Sequence, residues 1–470
     1  MLSTIYIYVG VKVTFHPSDK PSASDLVAAF KDGSADAETV ARQSVAQART
    51  CNAAFISVDE QRAIAEARAA AARWREGRPA SALDGVPIAW KDLFDVAGSV
   101  TTAGSALYRE RAPATGDAPL VAAAARAGLV CIGKTNLSEF AYSGLGLNPH
   151  FGTPFNPAFD ASVADGGHRV PGGSSSGAAV AVATGVVPIA VGTDTAGSIR
   201  VPAAFNGLVG YRASRARYAQ QGMIGLSQSA DTCGPLARSV ADCAAFDAVV
   251  GGRDLHRALD DLRGQRFVVP TGWQLRFAVT EAVGADFMRF VARLSDAGAR
   301  VDEVKVGAFD AACDLIATRG WFGSLEAFER YRRVLDSDAA ACIDQRVRTR
   351  LEMSRDVPAS RLAELLEARA RLIGQFGAEL GDATLLLPTV PHVAPECAPL
   401  EADPERFARV NLATLSMTMP GSFLDTPAFA MPAGADAAGL PTSVQLMRAQ
   451  NDDDALIALA LTVERTVAPN

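Results

Sequence analysis

Histidine is scarce in this chain. Five are spread over 470 residues: His16, His150, His168, His256 and His392. A serine, histidine and carboxylate hydrolase needs one of them beside its serine, and the supply is thin. Paired cysteines are missing as well. The seven cysteines, at 51, 131, 233, 243, 313, 342 and 397, form no Cys-x-x-Cys unit, which disfavours zinc and dithiol chemistry. Their scattered, odd number suits a reducing compartment, so a cytoplasmic location is expected. Neither Gly-x-Gly-x-x-Gly after a strand nor Gly-x-x-x-x-Gly-Lys-Ser/Thr occurs, so no standard loop for nucleotide phosphates is present. There is no basic block, and the net charge is −7, which argues against nucleic acid as the main partner. The apolar start, Met1 to Phe15, is too short to span a bilayer. It has neither a basic beginning nor a small-residue cleavage site, and residues 1–22 read as a frayed N-terminal extension.

What remains is the composition of an ordinary globular protein, 49% hydrophobic and 21% charged. Helical spacing of alanine, leucine and valine against charged residues predicts helices over 24–31, 37–50 and 60–75, with Gly33 and Gly77 as helix ends. These make a helical cap over 23–80. From residue 83 short β-prone runs (85–90, 129–133, 186–192) alternate with small-residue helices (118–127, 177–184). That alternation predicts an α/β fold with a sheet covered on both faces by helices. Residues 251–380 are richer in arginine and in helical periodicity, with a helix over Leu362–Phe376, and carry no chemical motif. Leu385-Leu386-Leu387, Pro427–Gly434 and Ser443–Met447 read as strands returning to the same sheet. With no low-complexity linker, residues 23–470 are expected to form one domain.

Two serine-bearing turns stand out. Gly172-Gly173-Ser174-Ser175-Ser176-Gly177 opens a run of small residues that reads as a helix, and Thr195-Ala196-Gly197-Ser198 follows, with its serine 24 residues after Ser174. The glycine before Ser198 permits a tight turn whose successive N–H groups can converge on one point, as an oxyanion requires. Each turn has a plainer explanation: a polar loop for Ser198, and a helix cap or a phosphate loop for Ser174. Lys91 tips the balance. It ends the apolar run Val86-Pro87-Ile88-Ala89-Trp90, whereas lysines ordinarily sit in water. Burial would depress its pKa and make it a general base; the plainer alternative leaves its amine in solvent at a strand end. His168, in a polar loop upstream of Ser174, reads first as a loop residue and second as a substrate contact. No Gly-x-Ser-x-Gly surrounds Ser198.

The stretch Gly172–Pro202 resembles the signature of the amidase signature family. Leu83–Ile88 with Lys91-Asp92, Gly133–Phe140, Phe151-Gly152 with Asn156-Pro157, Pro235–Asp242, Leu387–Thr389 and Pro441–Leu446 resemble further segments of the same family in the same order. The likeness runs from about residue 24 to 465 and is weakest over 252–380. It implies a single amidase-signature domain with a mixed central sheet, in which 81–250 form the signature core, 251–380 a variable substrate wall and 381–470 the return to the sheet. It implies a Ser–cisSer–Lys triad: Ser198 as nucleophile, Ser174 as bridging serine on a cis peptide, Lys91 as base. Backbone N–H groups of Thr195, Ala196, Gly197 and Ser198 would hold the oxyanion. Ser175, Asp194 and Arg200 would support the turn, and Tyr142 would touch the substrate. The substrate implied is a small amide, with no metal, no cofactor and a homodimer as the family-level expectation. Three departures stand out: Ala196 where glycine is commoner, Ser176 in place of a glycine, and Tyr211-Arg212-Ala213-Ser214 in place of leucine-lysine-proline-threonine. The first two resemble amidases of urea derivatives such as allophanate and biuret hydrolases. The A subunit of a glutamine-dependent tRNA amidotransferase is a second expectation, and an anion-binding protein without activity is a third.

Overall fold

The computed structural model describes residues 20–158 and 167–467; most of the expected N-terminal extension, residues 1–19, lies outside them. Each helix expected near the start is present. Ala23–Asp32 begins at Ser22, whose hydroxyl accepts from the Asp25 N–H while the Asp25 carboxylate accepts from the Ser22 N–H, and it ends at Gly33 with φ 75°. This reciprocal cap satisfies two donors that a helix start leaves free, and glycine tolerates the left-handed closing residue. Ala37–Thr50 and Glu60–Arg75 follow.

Eleven strands form one sheet: β1 (Phe55–Val58), β2 (Pro87–Lys91), β3 (Val130–Thr135), β4 (Ile189–Asp194), β5 (Val209–Arg212), β6 (Thr232–Ala237), β7 (Arg266–Pro270), β8 (Arg300–Val304), β9 (Thr384–Pro388), β10 (Ala428–Ala435) and β11 (Pro441–Met447). Their order is β1-β3-β2-β4-β6-β5-β10-β11-β9-β7-β8. The sheet is mixed: β3, β2 and β4 run parallel, as do β9, β7 and β8, and the remaining neighbours are antiparallel. The Pro427–Gly434 and Ser443–Met447 segments do return to it as β10 and β11. The segment expected to be variable supplies β7, β8 and the long helix Ser360–Leu380.

Side chains alternate across the sheet as a period of two requires. Ile88 and Trp90 of β2, Cys131 of β3 and Ile189 and Val191 of β4 pack into one core with the helices Pro119–Arg126, Val240–Gly251 and Asp453–Val467. Ala89, Val130, Ile132 and Ala190 face the other side, against Ala37–Thr50, Glu60–Arg75 and the helix Ser176–Ala183. Lys91 therefore starts on the face of Ala89, beneath the helix that the serine run opens. In register, Trp90 lies beside Val191, so β2 ends two residues short of the end of β4, and Lys91 and the turn after Asp194 lie at the same end of the sheet. Carboxyl ends of neighbouring parallel strands are a recurrent place for ligands. Among the described residues, no helix is long and apolar enough to cross a membrane.

Candidate functional site

Lys91 is 0% exposed, so its amine is not in solvent. Nζ donates to Thr193 Oγ1 at 2.7 Å and lies 2.7 Å from Ser174 Oγ. Burial pushes its pKa down to about 7, against the pull of the Asp231 and Asp194 charges in the opposite direction. A second buried lysine shows the contrast. Lys134, beside Trp90 in the neighbouring β3, has the Asp92 carboxylate 2.6 Å away. Lys91 has hydroxyls for neighbours, which suits an amine that takes up and gives back a proton.

Ser174 follows a cis peptide bond with Gly173. Its hydroxyl is engaged by Lys91, and the helix starts later, at Ser176, with no side-chain cap on its first turn; capping does not account for Ser174. Ser175 ties the serine run to β4: its hydroxyl donates to the Thr193 carbonyl at 3.3 Å and accepts from the Thr193 N–H at 3.4 Å. Gly192, next to Lys91 in register, leaves room for this contact, since a Cβ there would meet Ser175 Oγ at 2.6 Å. Ser198 joins the pair through the backbone, its carbonyl accepting from the Ser175 N–H at 3.3 Å.

The turn that carries Ser198 is held from inside. Asp194 is buried, and its Oδ1 accepts from the Gly197 N–H at 2.8 Å while Oδ2 accepts from the Ile199 N–H at 3.2 Å. Arg200 clamps both oxygens, Nε and Nη2 donating at 3.0 Å each, and also donates to Ser422 and Gln445. Arg212 adds a contact at 3.5 Å. Burial alone would raise the Asp194 pKa; the two guanidinium groups and the turn's N–H groups outweigh it and hold the carboxyl down at about 2. Arg200 and Asp194 are both fully buried, not a surface pair. Because the Gly197 N–H is committed to Asp194, the donors available to an oxyanion narrow from the four expected to Thr195, Ala196 and Ser198. Gly197 has φ 136°, and a Cβ there would run into the Thr418 hydroxyl, which donates to the Ala196 carbonyl at 2.5 Å. Glycine is required here on both counts.

A cavity of about 500 Å³ opens over Ser198. Thr195, Ala196 and Tyr142 border it, as do Trp321, Arg350 and Met419 from later in the chain. Tyr142 is buried, with the Arg350 guanidinium 4.3 Å over its ring. Among the described residues no histidine lines this cavity. His168 stacks on Phe155, ring centroids 3.6 Å apart, in a loop away from it.

Several residues of the site escaped the sequence. Asp231, buried, accepts from Thr195 Oγ1 at 2.6 Å and from the N–H groups of Leu226 and Ser227. It thereby fixes the first residue of the turn and adds a negative charge near Lys91. Its place four residues before the Pro235–Asp242 segment was a usable signal. Thr193 could have been found from the pairing of β2 with β4. Thr418 and Arg350 had no such signal: each comes from a segment joined to the site only by tertiary packing.

The Amidase family model matches residues 38–457. The 2-amino-5-chloromuconic acid deaminase of Comamonas testosteroni is 34% identical over 436 residues, covering 88% of this chain and 88% of that protein. The A subunit of the glutamyl-tRNA(Gln) amidotransferase of Acidothermus cellulolyticus is 32% identical over 459 residues, covering 87% and 86%. Among solved structures, a crystal structure described as an amidase superposes with a TM-score of 0.83 at 29% identity, over 95% of this chain and 100% of that one.

Proposed function

The chain belongs to the amidase family, enzymes that hydrolyse amide C–N bonds, and on that premise we propose that it cleaves a small carboxamide to a carboxylate and ammonia or an amine, with Ser198 as nucleophile and Ser174 and Lys91 as its proton relay. The observation that carries this reading is the buried Lys91 amine, 2.7 Å from Ser174 Oγ and with a pKa of about 7. A base must be neutral at working pH to take a proton, and a pKa near that pH serves both directions of transfer.

In the first step Ser198 Oγ attacks the amide carbon. Its proton passes to Ser174 Oγ as Ser174 hands its own to Lys91 Nζ. The carbonyl oxygen becomes an oxyanion, held by N–H groups of Thr195, Ala196 and Ser198; one such donor is worth roughly 3 kcal/mol of barrier. The intermediate collapses with cleavage of C–N, and the nitrogen takes the relay's proton as it leaves. Water then attacks the Ser198 ester, losing its proton into the same relay, and the serine departs with that proton as the carboxylate is released.

A fluorophosphonate followed by peptide mass spectrometry tests the assignment. One adduct on Ser198 is expected, absent in Ser198→Ala, together with loss of ammonia release from a panel of simple amides. An adduct elsewhere, or full turnover by Ser198→Ala, refutes it. A second reading, a glutamine amidase that works with partner chains, is favoured by the likeness to the tRNA amidotransferase. Hydrolysis of simple amides by the isolated chain counts against it.

A further inference from the structure

One peptide in the turn that carries Ser198 is held at both ends. The carbonyl of Ala196 accepts from Thr418 Oγ1 at 2.5 Å, and the N–H of Gly197 donates to Asp194 Oδ1 at 2.8 Å. These two groups belong to the same planar trans peptide and point in opposite directions, so the two bonds fix its plane from opposite sides. The peptide before it ends in the Ala196 N–H and the one after it in the Ser198 N–H. The plane of the middle peptide therefore sets the angle between two donors that would meet an oxyanion. Gly197 does not set it: glycine takes φ 136° readily, but takes other values as readily. The freedom that admits glycine to this turn has to be removed by its surroundings.

Asp194 lies three residues before Gly197 in the same turn. Thr418 reaches it from 222 residues away along the chain. Its hydroxyl has one proton and two carbonyls in reach, Ala196 at 2.5 Å and Leu415 at 3.1 Å, and the shorter contact takes it. The segment around it is tied to the groups that hold Asp194. The Met417 carbonyl accepts from Gln445 Nε2 at 2.9 Å, Gln445 Oε1 accepts from Arg200 Nη1 at 3.1 Å, and Ser422 Oγ accepts from Arg200 Nη2 at 2.7 Å. Met417, Thr418, Ser422 and Gln445 are all fully buried. Half a turn of the middle peptide would break both of its bonds and set the Ala196 carbonyl oxygen against the Asp194 carboxylate. Thr418 does not border the cavity over Ser198, so it acts on the reaction through the turn.

We propose that Thr418 is a positioning residue: by holding the Ala196 carbonyl it stops the Ala196–Gly197 peptide from turning and keeps the Ala196 and Ser198 N–H groups aimed at one point. The proposal rests on the amide-hydrolysis reading for what those N–H groups stabilise, and on the two hydrogen bonds for the geometry.

Thr418→Val keeps the shape and removes the hydroxyl; Thr418→Ser keeps the hydroxyl. Kinetics are run by ammonia release on butyramide or, where that is slow, on the fastest of the simple amides. The inhibitor is the trifluoromethyl ketone with the same acyl group, to which Ser198 adds to build an oxyanion in the same place. In Thr418→Val, kcat should fall about 10- to 100-fold, the size of a displaced donor, with KM within about twofold of the parent. Affinity for the ketone should fall in step with kcat/KM. The pH at which the rate rises should stay in place, since the lysine is untouched. Thr418→Ser should recover most of the loss. Hydrogen exchange of the segment 195–198, read by mass spectrometry, needs no turnover; it should quicken in Thr418→Val and return in Thr418→Ser. If Thr418→Val does not fold, Thr418→Ala removes the same hydroxyl without pressing a methyl on the carbonyl and is read against Thr418→Ser. Equal losses with and without the hydroxyl, a loss that falls on KM, or a moved pH limb overturns the proposal. If the parent is active and Thr418→Val matches it within about twofold, the amidase reading stands and the proposal falls. If the parent hydrolyses no amide, the amidase reading falls and exchange alone decides: quickened exchange keeps the lock on the peptide, and equal exchange removes it.

Discussion

The two sides of the cavity are built on opposite rules. On the sheet side, Lys91, Ser174, Asp194 and Arg200 are buried without exception, and each has at least one hydrogen-bonded partner within 3.0 Å. On the far side, the wall comes from helices distant in sequence; it is largely apolar, with Leu412 and Arg409 exposed at its rim. The proposed relay tolerates little error in distance, and its groups sit at the end of β2 and in the two loops beside β4, fixed by neighbours that are fixed in turn. A wall that selects among amides needs only shape and charge, which loosely coupled helices supply and can vary. On the proposed function the chemistry and the choice of substrate are thus carried by different parts of the chain and should respond differently to substitution.

The largest effect is expected at Lys91. Lys91→Met keeps the length and removes the proton acceptor; kcat/KM should fall by about 10⁴-fold, close to 5 kcal/mol of barrier, in the assay that follows ammonia release. Stability should move the other way. Lys91 has a folded pKa of about 7, below the ordinary 10.5 of an exposed lysine. The unfolded chain therefore binds more protons between about pH 7 and 10.5, so the cost of burying this lysine is greatest below about pH 7 and lifts as pH rises. Lys91→Met should raise Tm at pH 6 and gain less at pH 9. A lowered Tm at both would show that the amine supports the fold as well as the relay.

Asp194 comes next, because it holds the nucleophile's turn and not the proton. Asp194→Ala leaves Arg200 buried without its carboxylate and Arg212 with Asp425 alone, a change that costs about 3–5 kcal/mol. Denaturant titration should show it as a lower midpoint. The Asp194 carboxyl is held down at about 2, below the ordinary 3.8, so its contribution is present above about pH 4 and is lost as pH falls toward 2. The variant should be less sensitive than the parent across that window. An unchanged acid limb would mean that the turn is held by its backbone alone.

How far the sequence could be read follows the same division. The helices 24–31, 37–50 and 60–75 and the strand-helix alternation after residue 83 are local patterns, and the structure has them within three residues. Lys91 and Ser174 were legible as a pair because one belongs to an apolar run and the other to a glycine-serine run, and short strands bring such runs to one edge. The wall was legible as a segment, 251–380 with Tyr142, but not residue by residue. Gln345–Glu352 carries three arginines and no chemical motif; that one of them stacks against Tyr142 depends on packing more than two hundred residues apart in sequence. The fate of the Gly197 N–H was hidden for a similar reason. Only the fold shows that Asp194 curls back to take it.

A smaller effect separates charge from geometry at the relay. Asp231 faces Lys91 through space and Thr195 through a 2.6 Å hydrogen bond. The rate should rise with pH through the Lys91 pKa of about 7, since the neutral amine is the base in the proposed relay. Asp231→Asn removes a charge that favours protonated Lys91, so the ascending limb should move to lower pH by about one unit, about 1.4 kcal/mol. A fall in rate with no shift of the limb would assign Asp231 to the Thr195 turn alone.

The smallest effect is expected at Leu412, on the rim of the wall. The side chain is already 61% exposed, so Leu412→Ala creates no cavity and should change stability by under about 0.5 kcal/mol. It does remove apolar area that a bound substrate would cover, worth under about 1 kcal/mol. That loss is felt equally in the ground state and the transition state. KM should therefore rise about threefold with kcat unchanged, the signature of uniform binding. The opposite pattern, a lower kcat at constant KM, would mean that the rim moves to place the amide over Ser198. Wall and relay would then be one machine, and the contrast between them would no longer hold.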